Sequence, residues 1–582
     1  MATVAVWAPN ARKVAVEAAG TRAPMVKDDT GWWTLETPSI EHGSDYALYV
    51  DGEGPFPDPR SPWQPEGVHG PSRWVDHGLF EWSDFGFQQP PLSSAVIYEM
   101  HVGTFTSVGT FEAVTQRLDY LIELGITHIE LMPVAEFSGS RGWGYDGVAL
   151  YAPHHVYGGP EGLKRLVNAS HERGLAVLLD VVYNHLGPSG NYLGNFAPYF
   201  TNRYVTPWGK GVNLDGPESI EVRRFFIDNA LMWLRDYHLD GLRIDAVHAI
   251  VDTSAIHFLE QLASEVKKLE ASSGRHLVLI AENDLNDPRV VRAPQMGGYG
   301  LDAQWNEDFH HALYAALTGE RSGYYADFGT LADIAKVMTR GFVYDGRYSK
   351  YRRRIHGRPV TGVSGNAFVG CLQNHDQVGN RAIGDRTSHL LSRGQLKIGA
   401  ALVALGPFVP MLFQGEEWAA STPFLYFTGH EDRELGEAVQ KGRQEEFAAF
   451  AWDPETIPDP QAEDTFKRSK LNWSELEQSH HKDILEWYRA LLELRKCLPD
   501  LTDGDLSGLE TEYDEEAGWF WLRRGSVRII CNFADTEQRI PCSEESGSEI
   551  LLASEEGVQV EKGSVVPPRH AVVIMRSDRQ IP

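Results

Sequence analysis

Short apolar segments set the rhythm of the first fifty residues. VAVWAP, KVAVEA, WWTLE and YALYV alternate or run apolar between Gly, Pro and Asn breakers, and predict a small β-sandwich from Thr3 to about Asp51. The stretch from Gly54 to Pro91 is rich in Pro, Gly and Trp; it cannot hold a long helix and predicts an ordered connector. From Val96 the rhythm changes. The runs VIYEM, HIELM, AVLLDV, GLRI, LVLIA, LDAQW, AFVGCL and PMLF alternate with amphipathic helical stretches. Between HIELM and AVLLDV, Pro160 marks a helix start, Leu163, Leu166 and Val167 mark one face, and Gly174 marks the stop. Eight strand and helix units between Val96 and Phe413 predict an α/β fold, a (β/α)8 TIM barrel. From about Leu506 the segments WFWLRR, VRIICNF, EILLA and AVVIM return to short strands and predict a second β-sandwich. The expected division is 1–90 for the amino-terminal sandwich and connector, 91–500 for the catalytic barrel with inserted loops, and 501–582 for the carboxyl-terminal sandwich.

A barrel places its active site at the carboxyl ends of its strands, so polar residues should follow the apolar runs. His101, Pro133, Asp180 through His185, Asp245, Glu282, Asn306, Asn374 through Asp376 and Gly415 through Glu417 do so. Two connections are longer than an ideal barrel needs and are aromatic, one with Tyr192, Phe196, Tyr199, Phe200, Tyr204 and Trp208, the other with Tyr324, Tyr325, Tyr344, Tyr348 and Tyr351. Both are candidate walls of a cleft.

Composition narrows the substrate. The net charge of −28, from 81 acidic against 53 basic residues, repels phosphate backbones and anionic membranes and suits a neutral substrate. The 16 Trp, 22 Tyr and 25 Phe suit sugar binding. No nucleic-acid or membrane partner is expected; the basic run YSKYRRRIHGR reads as a solvated loop or a cleft wall offering donors to hydroxyls. The stretch Ile398 to Phe413 is broken by Gly406, Pro407 and Pro410 and falls short of a membrane helix. Four cysteines without metal-ligand spacing read as free thiols in a reducing compartment. The opening MATVAVWAPN lacks the features of a signal peptide, so a cytoplasmic location is expected. The segment after His185 has no dense run of oxygen ligands, so neither metal nor cofactor is expected.

Two carboxylates carry the candidate chemistry. In DGLRIDAVHAI, Arg243 and Asp245 are two apart on a strand and point to one side, so the guanidinium is expected to lower the Asp245 pKa and keep a nucleophile ionised. In HLVLIAEND, Glu282 follows the next strand; neighbouring negative charge is expected to raise its pKa and make it a general acid. Such a pair performs glycoside cleavage, and a close pair gives retention. Asp376 and His375 in QNHDQVGNR, with His185 in DVVYNH, are candidates for gripping sugar hydroxyls.

Read in order, DVVYNH, GLRIDAVH, AEND and NHDQ resemble the four signature regions of the α-amylase superfamily. The resemblance implies that Asp245 is the nucleophile, Glu282 the acid/base and Asp376 the transition-state stabiliser. It places Arg243, His185 and His375 around the cleaved sugar and Tyr145, in GWGYDGV, beneath it. Almost the whole chain is similar to maltooligosyltrehalose trehalohydrolases, through DPRSPWQPEGVHGPSR, YEMHVGTFT, RGWGYDGVALYAPHHVYGGP, RRFFIDNAL, AENDLND, DAQWNEDFHHAL, LQNHDQVGNRA, LFQGEEW and FKRSKLNW. That similarity implies an amino-terminal module of carbohydrate-binding type and hydrolysis beside the terminal trehalose unit of maltooligosyl trehalose. It also implies an associated maltooligosyltrehalose synthase. The cleft would be lined by Arg243 to His248, by Asn283 and Asp284, by the stretch Gln304, Trp305, Asn306, Glu307 and Asp308, and by His375, Gln377, Asn380 and Arg381.

The nearest rival is a glycogen branching enzyme, a transferase, but such enzymes usually carry SHDE where this chain reads NHDQ, with Gln377 in place of the acid. A non-catalytic carbohydrate-binding protein is the rival from another class. The intact trio of Asp245, Glu282 and Asp376 argues against it.

Overall fold

The computed structural model describes residues 2–448, 457–542, 548–561 and 563–577. Its centre is a closed barrel of eight parallel strands: β1 (Ile97–Met100), β2 (His128–Leu131), β3 (Ala176–Val181), β4 (Gly241–Ile244), β5 (Val278–Ala281), β6 (Ala303–Trp305), β7 (Phe368–Gly370) and β8 (Val409–Phe413). These are the eight apolar runs of the sequence, in chain order around the ring. Every strand residue is buried, as expected where helices cover the outside and side chains fill the inside. The charged exceptions within the strands matter most. Glu99 pairs in register with Glu130 across β1 and β2, and Asp180 with Arg243 across β3 and β4. Charged side chains are rarely fully buried without partners, so these four mark where the barrel interior turns from packing to chemistry.

The helices follow the sequence signals. Helix α1 (Leu118–Leu124) stops at Gly125, whose φ of 103° is open to glycine. Helix α2 (Gly159–Glu172) carries Pro160 in its first turn and buries Leu163, Leu166 and Val167. Helix α3 (Ser219–Asp236) precedes β4, and helix α4 (Phe258–Ser273) precedes β5. Helix α5 (Glu307–Thr318) starts directly after β6, its first turn capped by the Asn306 side chain on the Phe309 amide. Helix α6 (Leu331–Arg340) opens with a capping box between Thr330 and Asp333. Helices α7 (Arg393–Leu405) and α8 (Ser479–Cys497) pack on each other around the last strand.

The amino-terminal module consists of two sheets. One joins Ala2–Trp7, Trp32–Thr37 and Val26–Lys27; the other joins Thr21–Pro24, Val14–Ala18, Asp45–Val50 and Glu53–Phe56, with Ser72–Arg73 pairing off its path. The aromatic segment after His185 was a candidate cleft wall, but most of it is spent on docking this module. Tyr192 and Phe196 pack on Phe56 at 5.6 and 6.0 Å between ring centroids, and Tyr199 meets Trp7 edge-on at 5.9 Å. Arg60 and Trp32 add bonds of 2.9 and 3.1 Å to Asp228 and Glu221 of α3.

The carboxyl-terminal module has a five-stranded sheet built on Trp519–Arg524, Val527–Asn532 and Ala571–Arg576, and a three-stranded sheet beside it. Two buried guanidiniums fix it to the barrel. Arg524 donates to the carbonyls of Leu405, Gly406 and Leu501, and Arg495 of α8 to those of Ala404, Phe408 and Leu501. The last carbonyls of a helix have no partner within it, and here those at the end of α7 are satisfied by side chains of the next elements. Among the described residues no helix is long and apolar enough to cross a membrane.

Candidate active site

Arg243 organises the barrel mouth. Its fully buried guanidinium lies 4.0 Å from the centre of the Trp305 ring. Nη1 donates to Asp180 Oδ2 at 2.5 Å and Asp245 Oδ1 at 3.0 Å, while Nη2 donates to Glu282 Oε2 at 2.8 Å. Three carboxylates from the ends of three strands thus share one planar cation, whose rigid fork suits such bridging better than an ammonium.

The two carboxyl groups predicted for catalysis differ in how they are held. Asp245 accepts on both oxygens, Oδ1 from Arg243 and Oδ2 from Asn184 Nδ2 at 2.7 Å. Glu282 takes both donors on Oε2, from Arg243 and from the Ala246 amide at 2.8 Å, so Oε1 is the oxygen able to carry a proton. Sequence reasoning expected the guanidinium to lower the Asp245 pKa. The guanidinium does pull the pKa down, as does Asn184, but burial outweighs both and leaves Asp245 above its ordinary range. Glu282 is raised as expected, but burial is the larger cause and the charge of Asp245 an addition, with Arg243 opposing both.

A chain of polar contacts runs behind this pair. Glu99 accepts from His375 Nδ1 at 2.5 Å, His375 Nε2 meets the Tyr145 hydroxyl at 2.8 Å, and that hydroxyl donates to Asp180 Oδ2 at 2.5 Å. Burial alone would lower the His375 pKa, but Glu99 and Asp376 outweigh it and hold the ring up to about 9, so it is an imidazolium at neutral pH. The Tyr145 ring stacks on His375 with 5.1 Å between centroids. The platform expected from the sequence is therefore fixed from below by a charged ring and at its tip by Asp180.

His185 is buried beneath the Trp208 ring, 4.6 Å away and within 8° of parallel, and burial lowers its pKa to about 4. Its Nδ1 contacts Asn184 Oδ1, and the same amide donates to Asp245. The neutral imidazole thus orients the amide that orients the carboxylate. Asp376 stands at the rim with its side chain 42% exposed, its Oδ1 accepting from Asn380 and 3.6 Å from His375 Nε2.

The rim opens into a cleft of about 770 Å³ lined by Glu282, Asp376, His248, Asp284, Gln377, Asn380 and Arg381, among others. Glu307 falls in the stretch expected there, whereas His311 went unread in the sequence. Glu307 and His311, four apart on α5, face the cleft because that helix starts the moment β6 ends. Burial, then the charges of Glu282 and Asp376, push Glu307 up to about 8; it accepts from Gln377 Nε2 at 3.1 Å. From the long connections, Tyr324, Tyr325 and Tyr351 reach the cleft, whereas Tyr344 turns inward and bonds Asp327 at 2.6 Å. Arg352, from the basic run, also lines the cleft and grips Asp284 with both terminal nitrogens.

Other residues expected to line the cleft are occupied elsewhere. Asp308 turns away, its Oδ2 accepting from the amides of Val343 and Tyr344 at 2.7 and 2.6 Å. Asn306 caps α5 and donates to the Gly341 carbonyl at 2.7 Å. Gln304 is fully buried and accepts from Asn283 at 2.9 Å, and Trp305 packs within the barrel core. Asn306 and Asp308 thus hold the backbone at residues 341, 343 and 344, while Asn283, Gln304 and Trp305 lie beneath the site, Trp305 against Arg243.

This geometry agrees with the comparisons. Residues 93–204 match the α-amylase catalytic domain, residues 1–64 match carbohydrate-binding module 48, the isoamylase N-terminal domain, and residues 504–574 match a domain of unknown function. A malto-oligosyltrehalose trehalohydrolase of Arthrobacter ramosus is 52% identical over 90% of this chain and 91% of its own. One of Rhizobium sp. is 47% identical over 98% and 97%. The chain belongs to the malto-oligosyltrehalose trehalohydrolase family. The barrel and both flanking modules of this trehalohydrolase-family chain also superpose on a crystal structure from Salmonella typhimurium, provisionally named an α-amylase. That match has a TM-score of 0.91 and 38% identity, and covers 99% of this chain and 97% of the other.

Proposed function

We propose that the chain hydrolyses the α-1,4-glucosidic bond beside the terminal trehalose unit of maltooligosyl trehalose and releases trehalose. The observation that carries the chemistry is the shared guanidinium of Arg243, which holds Asp245 and Glu282 at one end of the barrel with different oxygens engaged. Glu282, with Oε1 clear of donors and its pKa raised, delivers a proton to the leaving oxygen. Asp245 in its ionised form, hydrogen-bonded on both oxygens, attacks the anomeric carbon, and water activated by Glu282 then releases the sugar with retention. Asp376 at the rim accepts hydroxyls of the distorted sugar. His185, His375 and Tyr145 fix the site around it, and His248, Asp284, Gln377, Asn380 and Arg381 line the approach. The family supports the choice of substrate.

We further place the enzyme in the cytoplasm, working on the product of a maltooligosyltrehalose synthase. Cys371, Cys497 and Cys531, which form no disulfide, support a reducing compartment. Incubation with maltotriosyl trehalose and, separately, with maltopentaose tests the reading. Free trehalose with little attack on maltopentaose is expected, and proton NMR of the new reducing end should give the α-anomer first. Branched or elongated products would move the assignment to a glucan transferase, and equal cleavage of both substrates to a general amylase.

A further inference from the structure

Away from the catalytic cleft, a second cluster of chemistry-bearing residues closes the neck of the loop that carries Trp143 and Tyr145. Ala135–Glu136 pairs antiparallel with Ala149–Pro153, so residues 137–148 leave and return through a narrow gate, and His154 and His155 follow at once. Glu136 and His154 are fully buried; the His155 side chain is 29% exposed. Glu136 Oε1 lies 2.8 Å from His155 Nδ1 and 3.1 Å from His154 Nδ1, and one ligand atom from each of the three residues falls within 4.8 Å of the others.

Ordinary hydrogen bonding accounts for only part of this. His155 is satisfied by Glu136, which also accepts its amide at 2.8 Å. Among the described residues neither ring nitrogen of the buried His154 meets hydrogen-bond geometry with a partner, although Nδ1 is 3.1 Å from a Glu136 carboxylate oxygen. The two atoms are close but not aligned on each other, as two ligands converging on a third body would be. A buried imidazole with an unused lone pair is costly, and a cation relieves that cost. The Phe137 ring, stacked on His154 at 3.9 Å, fixes the plane of the imidazole. Access exists as well: His155 borders a separate basin of about 410 Å³ lined by Glu66, Arg141, His430 and Glu431.

We propose that Glu136, His154 and His155 bind a divalent transition-metal cation of the zinc type, which ties the neck of the 137–148 loop. Two imidazoles and one carboxylate are the donor set for such an ion, with the remaining position open to water from the basin. Calcium, which takes six or more oxygens, does not fit. The ion's task here is positional: it would hold the loop that presents Tyr145.

The test uses the full chain, stripped with a chelator and desalted, then titrated with Zn²⁺ by calorimetry and with Co²⁺ by visible absorption. One equivalent should bind, with a Co²⁺ ligand-field band. In His155→Ala and Glu136→Gln, affinity for that equivalent should fall at least tenfold and the band should vanish. Zn²⁺ should slow hydrogen exchange in residues 137–148 of the wild-type chain and not of His155→Ala. An unaltered equivalent in His155→Ala, whose half-open side chain can be removed without opening the core, would overturn the proposal. So would a wild-type chain that binds no more Zn²⁺ than the variant.

Discussion

Replacing Arg243 by methionine keeps the unbranched stem of the side chain and removes the guanidinium that Asp180, Asp245 and Glu282 share. The side chain has no exposure, and its three ion pairs measure 2.5, 3.0 and 2.8 Å. Breaking a buried pair by deleting one partner costs about 3–5 kcal/mol, because the other charge is left in a dry site. Here three charges are left, but they need not all stay charged. Each of the three carboxyls is already raised by burial, and without Arg243 each rises further. A carboxyl raised in the folded state binds more protons there than in the unfolded chain. Its stability term is therefore lost as pH climbs from the ordinary carboxylate range toward the folded value. The loss in the variant should thus be about 3–5 kcal/mol at pH 7, smaller at pH 5 and larger at pH 8.5. Urea unfolding followed by tryptophan fluorescence at the three pH values reads it. The same rise should move both limbs of the kcat/KM profile to higher pH, since the proposed mechanism needs Asp245 ionised and Glu282 protonated. A loss below about 1 kcal/mol at pH 7 would place the pair in the range of an exposed ion pair and refute the reasoning, as would an equal loss at pH 5 and pH 8.5.

Glu282→Gln should lower kcat by about 10²–10⁴-fold with little change in KM, because the lost proton acts in the chemical step; a KM effect alone would remove Glu282 from the acid role. Glu307→Gln should leave activity at pH 7 within a few-fold. Because the Glu307 carboxyl is raised to about 8, the wild type loses stability between the ordinary carboxylate range and pH 8, and the variant's thermal midpoint should gain on the wild type above pH 8. Asp308→Ala should cost about 1–3 kcal/mol for each orphaned amide, read as faster hydrogen exchange at Val343 and Tyr344.

The barrel was legible because its strands are buried on both sides and so read as unbroken apolar runs. The residues at their ends stood out as polar groups placed just after such runs. Asp245, Glu282 and Asp376 were legible for this reason. Direction was harder. Gln304 through Asp308 form one contiguous stretch, yet a strand becomes a helix within it, and that turn sends Glu307 toward the cleft and Asp308 toward the backbone of residues 343 and 344. His311, one turn beyond the expected stretch, carried no signal of its own. Arg352 meets Asp284 across 68 residues, a distance at which no local pattern speaks. The sign of the Asp245 shift was missed because the partner cation is adjacent in sequence, whereas the burial that outweighs it is a property of the whole barrel mouth.

The docking of Tyr192, Phe196 and Tyr199 against Phe56 and Trp7 bears on how such enzymes can be rebuilt. These aromatics belong to the segment that runs from His185 to Trp208, so the seam between amino-terminal module and barrel is written into the same stretch of chain as the catalytic surroundings. An amino-terminal module exchanged alone between relatives would meet a mismatched seam, and the misfit would be felt first at the stack of Trp208 on His185. The transferable unit is the module together with residues 186–208, and chimeras cut at the connector alone should fold with a disturbed active site.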